Sequence, residues 1–148
     1  MITNDNYVPF LEGGKRTLGN NRELFDSKIK VTLITVTYNS DKYLEETIKS
    51  IVNQSYENIE YIIIDGGSID QTIEIIERYS NFIDYYISEK DSGMYDALNK
   101  GLMYSTGELI GFCNSDDILY SNDTIWEIVE SYKKEKFDCC YGSVQYVD

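Results

Sequence analysis

Hydrophobic positions along the chain fall into short blocks that alternate between continuous runs and three- to four-residue spacing. VTLITVT (31–37) is a β-branched run bounded by Asn39 and Ser40, which predicts a strand buried on both faces. Leu44, Ile48, Ile51 and Val52 then recur at helical spacing down to about Gln54, with Ser40 or Asp41 placed to cap the helix. IEYIIID (59–65) predicts a second buried strand, followed by a turn at Gly66-Gly67-Ser68 and a helix carrying Ile73, Ile76 and Tyr79 on one side. IDYYIS (83–88) predicts a third strand, and a helix follows from near Met94 through Ala97, Leu98 and Leu102. ELIGFC (108–113) is a fourth strand, Ile125, Ile128, Val129 and Tyr132 mark a helix starting at Asn122 or Asp123, and a last strand is expected near Asp138 to Val147.

Strands alternating with helices of this length predict an α/β fold, a mostly parallel sheet with helices on both faces. In such sheets ligands sit at the carboxyl ends of the strands. Residues 1–30 hold Pro9, Gly13, Gly14 and Gly19 without clear period and are read as an N-terminal arm, leaving 31–148 as the domain proper. A chain of 148 residues that is 42% hydrophobic suits one buried core.

Composition narrows the chemistry. Histidine is absent, which excludes Ser-His-Asp and Cys-His nucleophile systems within the chain and removes the commonest zinc ligand. Cys113, Cys139 and Cys140 form no CxxC pair and are read as reduced core or near-core residues. The formal charge of −13 repels nucleic-acid backbones and anionic membrane surfaces, so nucleic acid is not an expected partner. The longest aliphatic run, around Ile62 to Ile64, is too short to cross a bilayer, and Met1 is followed by polar and acidic residues rather than a signal sequence. A cytoplasmic location is therefore expected.

The four core strands each lead into a polar loop: Tyr38-Asn39, Asp65 to Ser68, Glu89 to Gly93, and Asn114 to Asp117. Taken singly these are ordinary turn and capping residues. Taken together they place carboxylates on one rim with no Lys or Arg cluster beside them, an arrangement that calls for a cation. Asp116 and Asp117, hard oxygen donors without imidazole or thiolate nearby, suit Mg²⁺ or Mn²⁺. Neither GxxxxGK[ST] nor a GxGxxG after a strand is present, so a divalent cation is the remaining bridge to a phosphate. Tyr38 at a strand end can stack on a planar base or simply wall a pocket, and the tyrosines at 85, 86, 95 and 104 read mostly as packing residues with one wet end.

With these residues in view, the chain from about Lys30 to Asp148 resembles glycosyltransferase family 2, inverting nucleotide-sugar transferases of the GT-A fold. The resemblance rests on ITVTYNSDKYLEETIKSIVNQSYENIEYIIIDGGSIDQT (34–72), SEKDSGMYDALNKGLMYSTGELIGFCNSDD (88–117) and YGSVQYVD (141–148). GMYDALNKG (93–101) and EGGKRTLG (12–19) look most like bacterial enzymes that build capsular, exopolysaccharide or O-antigen chains. The resemblance implies a Rossmann-like three-layer α/β/α architecture. It implies that Val36 and Tyr38 line the nucleoside pocket, that Asp65 stands at the base-binding strand end, and that Asp91 and Asp96 line the donor site. It also implies that Asp117 coordinates the metal, with Asp116 beside it at the ribose. Gly66 and Asn114 stand where many members carry aspartates. Members continue into an acceptor-binding region, so the general base is expected beyond Asp148 and this sequence is read as truncated at its C-terminus.

The expected activity is metal-assisted transfer of a sugar, with inversion, from a nucleoside-diphosphate sugar, UDP first, to a glycan or lipid-linked acceptor in cell-surface polysaccharide synthesis. Peripheral membrane association is left to the missing region. The alternatives are a nucleotide-sugar-binding module without turnover, or an α/β interaction domain.

Overall fold

The computed structural model describes residues 10–19 and 28–146. Nine elements follow in chain order: β1 (Leu11–Gly13), β2 (Val31–Thr37), α1 (Leu44–Val52), β3 (Ile59–Asp65), α2 (Thr72–Arg78), β4 (Tyr85–Ser88), α3 (Met94–Tyr104), β5 (Leu109–Phe112) and α4 (Thr124–Glu135). They build one five-stranded sheet in the order β1-β4-β3-β2-β5. The pairs β4 with β3, β3 with β2 and β2 with β5 are parallel, and only β1 runs antiparallel, against β4.

The central pair explains itself from sequence. Every residue of β2 and β3 is buried, because parallel strands covered on both faces present apolar or β-branched side chains to two helical layers. On one face α1, α2 and α4 supply Leu44, Ile48, Ile51, Ile75, Ile76, Ile125 and Val129 to a core that includes Leu33, Tyr61 and Ile63 of the sheet. On the other, α3 lays Ala97 against Ile34, Val36, Ile62, Ile64 and Ile87. This is the three-layer α/β/α arrangement that the alternating pattern predicts.

Two expectations are corrected. The final strand expected over 138–147 is not formed: residues 138–146 make no ladder and are all exposed, and 147–148 lie outside the described part. A strand is stabilised by its pairing and by the face it buries, and this segment has neither, with Tyr141 and Tyr146 each more than nine-tenths exposed. The chain leaves α4 through Lys136 in the left-handed conformation (φ 50°), whose amide donates to the Tyr132 carbonyl and ends the helix. The second correction concerns cysteine. Cys113 is buried, but Cys139 and Cys140 lie in the exposed segment and are not core residues.

Of the arm read over residues 1–30, residues 1–9 and 20–27 lie outside the described part. Its β1 adds an edge strand by pairing Leu11 with Ser88 and Gly13 with Tyr86. A Cβ at Gly13 would run into the Tyr86 ring, so glycine permits the approach. Arg16 then reaches Glu60 and donates to the Tyr104 carbonyl at 2.8 Å, while Lys15 pairs with Asp84 at 3.1 Å. Among the described residues no helix is long and apolar enough to cross a membrane.

Candidate functional site

Parallel strands β2, β3, β4 and β5 all end on the same rim, so the loops that follow them converge there. Side chains of these loops cross-link one another. Asn39, held at φ 50° where asparagine is tolerated, accepts the Ile69 amide on its Oδ1 at 2.9 Å, and its own amide donates to Ser68 Oγ at 2.8 Å. The Ser40 amide donates to Thr72 Oγ1 at 2.8 Å, and the Ser40 hydroxyl meets that of Ser115 at 2.9 Å. Thr47 donates to the Ser115 carbonyl at 3.0 Å, fixing the loop after β5 onto α1.

These loops enclose a cleft of about 760 Å³. Val36, Thr37, Tyr38 and Ser40 come from the end of β2, Gly66, Gly67 and Ile69 from the loop after β3, Lys90 and Asp91 from the loop after β4, and Asn114, Ser115 and Asp116 from the loop after β5. Gly93, Met94 and Ala97 complete it from the start of α3. A volume of this size matches a small-molecule or cofactor site. Gly67 (φ 84°) and Gly93 (φ 112°) hold backbone conformations that favour glycine at two of its turns.

Of the residues singled out by sequence, Val36, Tyr38, Asp91 and Asp116 line the cleft together. The Tyr38 ring is 61% exposed rather than packed in the core. Asp65 does not line it. Its fully buried carboxylate accepts the amides of Gly67 (3.0 Å) and Ser68 (2.9 Å) and the hydroxyls of Ser68 and Ser88 (2.6 Å for Ser88). It organises the turn that forms the wall from beneath. Asp96 is also outside the lining: it accepts the Ser92 amide at 3.0 Å at the start of α3 and lies 3.7 Å from Lys100, which is paired with Glu89 at 2.8 Å. Asp117 is exposed beside the cleft, where its Oδ2 accepts from Asn114 Nδ2 at 2.9 Å.

Asp116 and Asp117 stand consecutively on the turn that leaves β5. Among the described residues no three or more histidine, cysteine or carboxylate side chains gather at one point. Two adjacent exposed carboxylates nevertheless fit Mg²⁺ or Mn²⁺, since such an ion takes one or two carboxylates and fills its remaining positions with water and substrate phosphate. The neighbouring Cys113 is buried, and burial, aided by Asp117 and Asp116, pushes its thiol up to about 12.

Sequence reasoning missed Lys90, which brings a positive charge to the cleft beside Asp91, and Ser115, which seats the acidic turn. Lys90 is legible in the sequence only as a single cation within the strand-end loop Glu89 to Gly93.

The relatives share this architecture. S. aureus TarS, solved in complex with UDP-GlcNAc, superposes with a TM-score of 0.66 at 27% identity, covering 73% of this chain and 32% of that one. The mannosyltransferase PcManGT of Pyrobaculum calidifontis, solved with GDP-Man and Mn²⁺, gives 0.67 at 27% identity over 71% of this chain and 32% of its own. The cholesterol galactosyltransferase of Borreliella burgdorferi is 37% identical over 114 residues, 75% of this chain and 30% of that protein. The chain spans less than half the length of the curated relatives it matches. Residues 32–148, from within β2 onward, match glycosyl transferase family 2, and with its GT-A sheet and strand-end cleft the chain belongs to that family.

Proposed function

We propose that this chain forms the donor-binding half of a glycosyltransferase that moves a sugar from a nucleoside-diphosphate sugar to a hydroxyl acceptor with inversion. The observation that carries the reading is the convergence of Tyr38, Asp91 and Asp116 on one cleft at the carboxyl ends of parallel strands. Support for the donor class comes from the UDP-GlcNAc and GDP-Man complexes of the two structural neighbours.

In this reading Val36 and Tyr38 hold the nucleoside, Asp91 lines the donor site and Asp116 sits by the ribose. Asp65 acts from below by shaping the loop after β3, and Asp96 by fixing the start of α3. Asp117, with Asp116, would hold Mn²⁺ or Mg²⁺, as the Mn²⁺ complex of the mannosyltransferase supports. Held there, a divalent cation would supply positive charge to offset that of the departing diphosphate. The acceptor oxygen forms its bond to the anomeric carbon as the bond from that carbon to the diphosphate oxygen breaks. The acceptor proton passes to a carboxylate proposed to lie outside residues 1–148. The setting proposed is bacterial cell-surface polysaccharide synthesis on a glycan or lipid-linked acceptor, in the cytoplasm or at the inner face of the membrane.

Thermal unfolding tests the donor site, because a ligand that binds only the folded state raises its melting temperature with concentration. UDP or GDP with Mn²⁺ is expected to raise Tm progressively. An unchanged Tm with every nucleoside diphosphate at millimolar concentration would contradict the reading.

A further inference from the structure

A Cβ placed on Gly66 would lie 2.8 Å from Oδ2 and 3.2 Å from Cγ of Asp91. The Asp91 carboxylate therefore rests over the end of β3, in space that any side chain at 66 would contest. Its Oδ1 accepts the Gly93 amide at 2.8 Å, which fixes the group, while Oδ2 takes no hydrogen bond among the described residues. Gly66 and Asp91 both line the cleft, and so does the exposed ring of Tyr38. An aromatic face for stacking and a fixed carboxylate oxygen with a free lone pair suit a planar heterocycle bearing an N–H on its edge.

Resting on the donor-site reading above, we propose that Asp91, seated over Gly66, reads the nucleobase and selects lactam bases, those whose ring N–H can donate to it. Uracil and thymine at N3 and guanine at N1 satisfy this. Cytosine at N3 and adenine at N1 present a lone pair at the corresponding place. An ionised carboxylate has no proton to offer them, so acceptor faces acceptor and both groups lose their water without a partner. Gly66 is the positioning residue of the pair and Asp91 the specificity-determining one.

The test is calorimetric titration of the chain in Mn²⁺ with UDP, GDP, CDP and ADP, repeated on Asp91→Asn and Gly66→Ala. All four ligands share the diphosphate, so their affinity ratios cancel the metal and phosphate contributions. The better of UDP and GDP is expected to bind roughly tenfold or more tightly than CDP and ADP, the scale of one charge-assisted hydrogen bond. Asp91→Asn, whose amide can donate as well as accept, is expected to reduce that ratio to about threefold or less, with CDP affinity kept or improved. Gly66→Ala, which must displace the carboxylate, is expected to shift the ratio the same way. Equal binding of all four by the unaltered chain would overturn the proposal, as would an unchanged ratio in Asp91→Asn. A loss confined to nucleotide sugars, with the base ratio intact, would put Asp91 at the sugar and overturn it too. If no nucleoside diphosphate binds the unaltered chain, the donor-site reading itself fails.

Discussion

Ser88 donates its hydroxyl to Oδ2 of Asp65 at 2.6 Å, joining the ends of β4 and β3 beneath the cleft. The same carboxylate receives two amides and a second hydroxyl from the turn that follows β3. A buried carboxylate with this many donors is fully satisfied, which is why it supports the site without facing it.

Asp65→Ala removes every one of those acceptors and leaves buried donors unpaired. A loss of roughly 2–4 kcal/mol in folding stability is expected, together with weakened nucleotide binding. Urea denaturation measures it as a lower midpoint at unchanged slope. Ser88→Ala, which removes one donor only, is expected to cost about 1 kcal/mol.

Glu60 makes stability acid-sensitive. Burial opposes its ionisation, but hydrogen bonds from Lys30, Thr106 and Thr32 outweigh that and hold the carboxyl down at about 2, below its ordinary value of 4.5. Its folded-state pKa is depressed, so its contribution is complete above about 4.5 and is lost as pH falls toward about 2. The shift corresponds to about 3 kcal/mol. Denaturation midpoints measured across that window are expected to fall for the unaltered chain and to fall less steeply for Glu60→Gln.

Cysteine reactivity is expected to divide cleanly. Cys139 and Cys140 are exposed, whereas Cys113 is buried with its thiol pushed up to about 12. Iodoacetamide at neutral pH is expected to modify 139 and 140 in the folded chain and 113 only after denaturation, as read by mass spectrometry.

Gly101 marks the closest approach of α3 to the sheet. A Cβ there would lie 2.5 Å from Cγ2 of Ile34, a fully buried residue of β2 with little freedom to move. Gly101→Ala gains about 1 kcal/mol of helix propensity, yet overpacking of about 1–3 kcal/mol is expected to exceed it. Net destabilisation, relieved in the Gly101→Ala, Ile34→Ala double variant relative to the sum of the singles, is the expected result of a denaturation cycle.

The sequence carried most of the framework because its signals were strong and local. The continuous runs of β2 and β3 have the same limits, 31–37 and 59–65, in sequence pattern and structure. Convergence of the strand-end loops follows from parallel topology alone. Strand β1 was illegible because three residues ending in glycine show no period and are defined by their partner β4. The reverse error, a strand over 138–147, arose because apolar and aromatic residues such as Tyr141, Val144 and Tyr146 suggest a strand whether or not a partner edge exists. At the site, residue type identified which loops matter but not where each carboxylate points. Asp65 turns inward to amides and hydroxyls, Asp96 to the start of its own helix, and Asp91 to the cleft, differences that only three-dimensional packing decides.

The most direct test of the donor site is titration of UDP and GDP into the chain with Mn²⁺ and with EDTA, repeated on Asp117→Ala. Binding is expected to require Mn²⁺ and to weaken about tenfold or more in Asp117→Ala, as for loss of a metal-binding carboxylate. Equal affinity in EDTA, or undiminished binding by Asp117→Ala, would contradict a metal-dependent donor site.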